Sequence, residues 1–268
     1  MSRRTSATPV AASAFPPLSF SEQGRVRYLH FGSPWVQGAM HLNRPHAIVL
    51  EYVQQMMGWL LFLETPQRMV QLGLGAAALT KFCYRQFSAA EIVAVELNPA
   101  VITAARSMFC LPPDDARLSV VEADAQYFIS RPHHRDWATV LQVDLYDEHA
   151  RGPVFDSVAF YRSCRAALQA PGILAVNLFS NSLFGDPDNL PHSLEHLRAA
   201  FDGRVLAFAP VHEGNVVALA FNGPPLSVDW ETLYRRALLL EQAYDWPVRK
   251  WLSGMKQVNN LHGLSLEI

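Results

Sequence analysis

The chain has no apolar run long enough to span a bilayer. The longest candidate, Met56 to Leu63, falls far short of the roughly 20 residues a spanning helix needs. Cysteine is scarce as well. Cys83, Cys110 and Cys164 are odd in number and widely separated, which excludes a disulfide framework and fits a reducing compartment. No Cys or His falls at metal-ligand spacing, so no metal site is expected, and His133, His134 and His149 read as solvated loop residues. Charge of one sign is also missing: a formal net charge of -2 leaves no basic footprint for nucleic acid. Residues 1–14 lack the apolar core of a secretory signal. Rich in Ser, Ala, Thr and Arg, they read as a disordered tail, although an acid-poor stretch with Arg3 and Arg4 has a composition shared with organelle-targeting segments. The expectation is a cytoplasmic protein that binds neither membrane nor nucleic acid.

What is present is core-forming residue. Half of the 268 residues are hydrophobic, enough for one large domain with a smaller appendage. Pro and Gly punctuate residues 15–46, separating short runs such as Val26 to Phe31, the pattern of a small antiparallel β region. From Ala47 to Leu63 apolar residues recur at three- and four-residue spacing, which predicts an amphipathic helix. Strands and helices then alternate, with strand patterns at 68–72, 91–96, 118–122, 138–143, 172–177, 204–208 and 215–221. Seven strands in mostly βα order predict a doubly wound, Rossmann-like sheet. The expected division is a tail at 1–14, a β-hairpin region with a linking helix at 15–63, a Rossmann-like domain at 64–225 and a helical extension at 226–268, in which Trp246 and Trp251 serve packing.

Chemistry in such a sheet gathers outside the carboxyl ends of the strands. The first strand runs into Gly73-Leu74-Gly75, and the second ends in Glu96. Glycines there let backbone approach a ligand closely, and a carboxylate at the second strand end can accept hydrogen bonds from both ribose hydroxyls. Ala78 stands where a full dinucleotide fingerprint has a third glycine, so a nucleoside and a dinucleotide both remain open, as does a plain tight turn. Asp124 follows the third strand, and Asp144 and Asp147 follow the fourth. Two carboxylates at one mouth suit a general base or a cation site; the alternative is helix capping and loop bonding.

In order and spacing, the glycine loop, Glu96, Asp124-Ala125 and Asp144-Leu145-Tyr146-Asp147 resemble the spermidine synthase family of aminopropyltransferases. Val36-Gln37, the helix start from Tyr52 to Met56, Gly152-Pro153, Phe160-Tyr161 and Gly214-Asn215 extend the resemblance over most of the chain. It implies a methyltransferase-type Rossmann domain behind a small N-terminal β domain. It also implies transfer of the aminopropyl arm of decarboxylated S-adenosylmethionine to a di- or polyamine, with methylthioadenosine released and no prosthetic group. By the resemblance Asp144 is the proton acceptor. Gln37, Gly73, Gly75, Glu96, Asp124 and Ala125 hold the nucleoside donor, and Tyr52 and Asp147 line the amine site, with His212 beside the amine channel. A homodimer is the expected assembly.

The sequence also departs from the family pattern. Gly75 stands at the loop position where the family has aspartate, Val211 where it has tyrosine, and Asn177 where it often has glutamine. These changes keep two alternatives in view: a methyltransferase using S-adenosylmethionine itself, and a catalytically silent nucleoside-binding relative.

Overall fold

A computed structural model describes residues 15–146, 153–179, 189–211 and 214–268. Strands β1 (Leu18–Gln23), β2 (Val26–Phe31) and β3 (Gly38–His41) form a small antiparallel sheet in that order, as the punctuated stretch predicts. The turn between β1 and β2 is Gly24-Arg25, both at positive φ, which matches the twist of the flanking strands.

The next segment corrects an expectation. Residues 47–63 are not one amphipathic helix but a short helix α1 (Glu51–Gln55) followed by a 3-10 turn at Gly58–Leu61. Met56, Met57, Trp59, Leu60 and Leu61 are all buried, so the segment is apolar all round and is wrapped by protein rather than lying on it. The Met56 carbonyl accepts a hydrogen bond from Nε2 of Gln142 (3.1 Å). Gln142 Oε1 in turn accepts from Gln71 Nε2 (2.9 Å), and Gln71 Oε1 accepts from the Thr80 hydroxyl (2.6 Å). This fully buried polar chain ties the end of α1 to the strands beneath it.

The large sheet is built from β4 (Arg68–Leu72), β5 (Glu91–Glu96), β6 (Leu118–Glu122), β7 (Ala138–Val143), β8 (Leu168–Phe179), β9 (Val205–Ala207) and β10 (Asn215–Asn222). The intervening helices are α2 (Ala78–Gln86), α3 (Pro99–Met108), α4 (Ala125–Ile129), α5 (Val158–Ala167) and α6 (Asn189–Ala200). The strand order is β6-β5-β4-β7-β8-β10-β9, parallel throughout except for β10, which runs antiparallel to both neighbours. The chain reverses its direction of travel between β4 and β7, so the carboxyl ends of those two strands flank the crevice in which such sheets bind ligands.

Alternation along the strands sorts the core onto two faces. Met69, Ile92, Val140, Val217 and Leu219 point toward α2, α3 and the 48–61 segment. Val70, Leu72, Val93, Leu141, Val143 and Val176 point toward α4, α5 and α6. Each such side chain contributes roughly 1.5–3 kcal/mol when fully buried. Asn98 caps α3 through its side chain, with Pro99 in the first turn, as the sequence predicts.

Beyond the sheet lie β11 (Ser227–Asp229), α7 (Trp230–Tyr244), α8 (Val248–Val258) and β12 (Ser265–Glu267), which pairs antiparallel with β11. The second helix and this strand pair are not foreseen by the helical period. Trp246 and Trp251 are buried packing residues, as expected. Trp251 also donates to Glu51 (3.2 Å), and Arg236 donates to the Leu61 carbonyl (2.7 Å), which fastens the two last helices to the α1 segment. His134 overturns its reading as a solvated residue: it is buried, bonded through Nδ1 to the Phe128 carbonyl (2.8 Å) and stacked on Trp137. Burial lowers its pKa. Among the described residues no helix is long and apolar enough to cross a membrane, and no cluster of His, Cys, Asp or Glu could hold a metal.

Candidate active site

A cavity of about 600 Å³ opens at the crevice between β4 and β7. Gln37, Tyr52, Gly73, Gly75, Glu96, Asp124, Ala125 and Asp144 all line it. Asp147 and His212 lie outside the described residues.

The glycine turn forms one side of the cavity floor. Gly73 adopts φ +96, and a Cβ there would collide with the carbonyl oxygen of Asp144. Gly75 adopts φ +50, and a Cβ there would stand 3.0 Å from the Gln37 carbonyl oxygen. Gly38, at the start of β3, approaches so closely that an added Cβ would lie 2.6 Å from that of Ala76. The small sheet is thus closed down on the glycine turn, and Gln37 is held over it by its backbone N–H, which donates to the Leu29 carbonyl (2.8 Å).

Glu96 ends β5 with one carboxylate oxygen accepting from the Leu74 amide (3.1 Å) and the other from the Asn98 amide (2.8 Å). Burial pushes its pKa up, against the pull of the amides of Asn98, Leu74, Leu97 and Gly75. The group therefore orients the glycine loop while facing the cavity. Asp124 caps α4, accepting from the Tyr127 amide (2.7 Å), and Ala125 is the first residue of that helix.

Asp144 stands at the end of β7. Its Oδ1 accepts from Asn177 Nδ2 (2.9 Å), and the Tyr52 side chain also bonds it. Burial raises its pKa to about 6, with the Asn177 and Tyr52 bonds pulling the other way. The carboxylate remains the dominant form at neutral pH, yet it binds a proton far more readily than an exposed aspartate does. Tyr146 stands half-buried beside it, and desolvation and the Asp144 charge raise its pKa well above that of a free phenol, against the pull of the Asn215 side chain. The remaining wall is apolar and aromatic: Phe31, Trp35, Val36 and Phe155 among others. Phe155 packs on Phe160 with ring centroids 5.4 Å apart, and the next residue, Asp156, accepts from Ser193 (2.6 Å) and lies 3.3 Å from His196 Nδ1. Because Ser193 donates to the acid and not to the histidine, this trio is a clamp on α6 and not a nucleophile.

The sequence pattern gives no role to the aromatic wall; Tyr146 and Asn215 enter it only as members of motifs, and Asn177 only as a departure. Their alignment with Asp144 depends on the pairing of strands far apart in the chain.

A seven-stranded sheet with one antiparallel strand, a glycine turn at its switch point and an acid ending the neighbouring strand define a methyltransferase-type Rossmann fold. No family model matches the chain. It is 36% identical over 255 residues to the polyamine aminopropyltransferase of Neisseria meningitidis serogroup A, covering 94% of each chain. The protein belongs to the polyamine aminopropyltransferase family, whose members are transferases. Its fold matches the crystal structure of a probable spermidine synthase from Corynebacterium glutamicum with TM-score 0.70, at 20% identity, over 92% of this chain and 95% of that one. Human methyltransferase-like protein 13, solved in complex with SAH, matches with TM-score 0.64 at 23% identity, over 74% of this chain and 94% of that one.

Proposed function

We propose that the protein moves the aminopropyl group of decarboxylated S-adenosylmethionine to a di- or polyamine. The observation that carries this reading is Asp144: a carboxylate with a raised pKa at the floor of the same cavity that holds Glu96 and the glycine turn. In the proposed reaction the adenosine end of the donor lies along Gly73 and Gly75, with its ribose hydroxyls donating to Glu96. Asp124 and the Ala125 amide face the adenine, and Gln37 covers the donor from the small sheet.

An amine arriving as an ammonium ion has no lone pair. It gives one proton to Asp144, and the freed pair attacks the methylene carbon next to the sulfonium. The new C–N bond forms as the C–S bond breaks; its electron pair stays on sulfur, which leaves as neutral methylthioadenosine. The product nitrogen is a secondary ammonium, and the proton on Asp144 returns to solvent. Tyr52, bonded to Asp144, orients the base, and the family resemblance gives Asp147 a part in amine binding. The aromatic wall accommodates the methylene chains of the amine, and the acids offset the charges of sulfonium and ammonium.

The cysteines are all unpaired, which supports a cytoplasmic location. The family resemblance supports a homodimer, which sedimentation would test. The function itself is tested by incubating the protein with decarboxylated S-adenosylmethionine and a series of amines and following methylthioadenosine release. Release that depends on an added diamine supports the reading; amine-independent or absent release removes it.

A further inference from the structure

The carboxyl edge of the sheet carries a line of polar side chains in a region otherwise filled by apolar ones. β7 pairs with β8 so that Val143 faces Val176, which sets Asp144 and Asn177 side by side one residue on. β8 pairs with β10 so that Val217 faces Asn177. Because β10 runs antiparallel, its first residue, Asn215, comes to the same edge, diagonal to Asn177 and on the same face. Asn177 is 1% exposed and Asn215 8% exposed. Asn215 Nδ2 donates to Asn177 Oδ1 (3.1 Å), and Asn177 Nδ2 donates to Asp144 Oδ1 (2.9 Å).

We propose that Asn177 and Asn215 form a two-amide relay that holds the Asp144 carboxylate in its working orientation, with Asn215 reaching Asp144 through Asn177 while its side chain also meets Tyr146. The inference rests on the reading of Asp144 as the proton acceptor.

The argument is one of direction. An amide donates from one end and accepts at the other. With Asn215 donating to its oxygen, Asn177 must turn its NH2 toward Asp144. The flipped amide would set oxygen against a carboxylate oxygen and NH2 against NH2, two repulsive contacts in a buried place. A locked donor does two things for a base. It fixes which oxygen is occupied and leaves the other for the incoming ammonium. It also favours the charged form, opposing the burial that raises the proton affinity of Asp144. An amide in the middle of a buried strand costs stability unless it is used, and here both ends of Asn177 are used. Asn215 belongs to the positioning machinery although it bonds no acid itself.

The test is the acid limb of the kcat/KM profile for the amine, read alongside methylthioadenosine affinity. Losing the donor makes the carboxylate easier to protonate, so the limb moves to higher pH. For Asn177→Ala and for Asn215→Ala we expect kcat/KM at pH 6.5, relative to its plateau, to fall at least about threefold below wild type. Methylthioadenosine affinity should stay within about twofold, which a general loss of structure would not leave intact. Asn215→Asp, which cannot donate in its charged form, should shift the limb at least as far, and it serves if the alanine variant folds poorly. In the double variant, Asn215→Ala should add nothing to Asn177→Ala. An unmoved limb in folded Asn215 variants, or additive shifts in the double variant, would overturn the relay. Near-normal turnover in Asp144→Asn would instead remove the base assignment, and the relay with it.

Discussion

The carbonyl oxygen of Asp144 occupies the space that a Cβ on Gly73 would take. The ends of β4 and β7 therefore close on each other at the switch point, and the same contact that shapes the glycine turn sets the backbone of the proposed base. The proposed donor site and the proposed base share one piece of backbone geometry.

Replacing Gly73 should damage both. Gly73→Ala combines a φ of +96 with that collision. We expect a loss of at least about 2 kcal/mol in denaturant unfolding, together with loss of methylthioadenosine binding. A variant with wild-type stability and affinity would show that the two strand ends are not in contact.

Glu96 binds the loop amides and, in the proposed reaction, receives the ribose. Glu96→Ala should weaken methylthioadenosine by about 2–4 kcal/mol in calorimetry, the worth of two charge-assisted hydrogen bonds. Unchanged affinity would mean that its part is confined to Leu74 and Asn98.

Asp144 links pH to both stability and rate. Its pKa in the folded protein, about 6, lies above the ordinary 3.8. Below both values the acid is protonated folded or unfolded, and it has no effect on stability. As pH rises through this window the unfolded chain releases the proton first, so stability falls, by on the order of 3 kcal/mol once pH exceeds 6. Asp144→Asn removes that cost and keeps an acceptor for Asn177. It should therefore unfold at higher denaturant than wild type at pH 8, while turnover drops by about two to four orders of magnitude. Wild-type kcat/KM should fall about tenfold per pH unit well below 6. An Asp144→Asn protein that is both active and no more stable would contradict the assignment.

Much of the frame is legible in the sequence. The strands at 91–96, 118–122 and 138–143 are short apolar runs bounded by acids, loops or turns, and they fold as such. The strand-end acids follow from them, because a residue after a buried parallel strand has nowhere to go but the crevice. The 47–63 segment is less legible. A helical period over residues buried on every side does not distinguish one helix from a short helix and a 3-10 turn, and what interrupts it is an amide from Gln142, far along the chain. His134 misleads for a related reason: a histidine in a polar stretch is drawn into the core by the Phe128 carbonyl and the Trp137 ring. The Asp144-Asn177-Asn215 line depends on strand order and on the single antiparallel strand, neither of which a linear pattern carries.

The Gln142 chain makes its own prediction. Gln142→Leu leaves the buried Met56 carbonyl without its partner and the Gln71 amide with only the Cys83 sulfur (3.6 Å). It should cost about 2–3 kcal/mol in unfolding and, by loosening α1, raise KM for the amine through Tyr52. A variant that loses stability while kinetics stay unchanged would separate this chain from the site.

The central claim concerns which group is transferred. The intact donor S-adenosylmethionine carries a carboxylate that Asp144 would repel by on the order of 3 kcal/mol at ~5 Å in a partly buried site. The direct measurement supplies both donors in competition with an amine and separates the nucleoside products by chromatography. The account predicts methylthioadenosine from the decarboxylated donor, preferred by at least about tenfold, for which ~1.4 kcal/mol of that repulsion is enough. Formation of S-adenosylhomocysteine from the intact donor as the main product would contradict it and make the protein a methyltransferase on this fold.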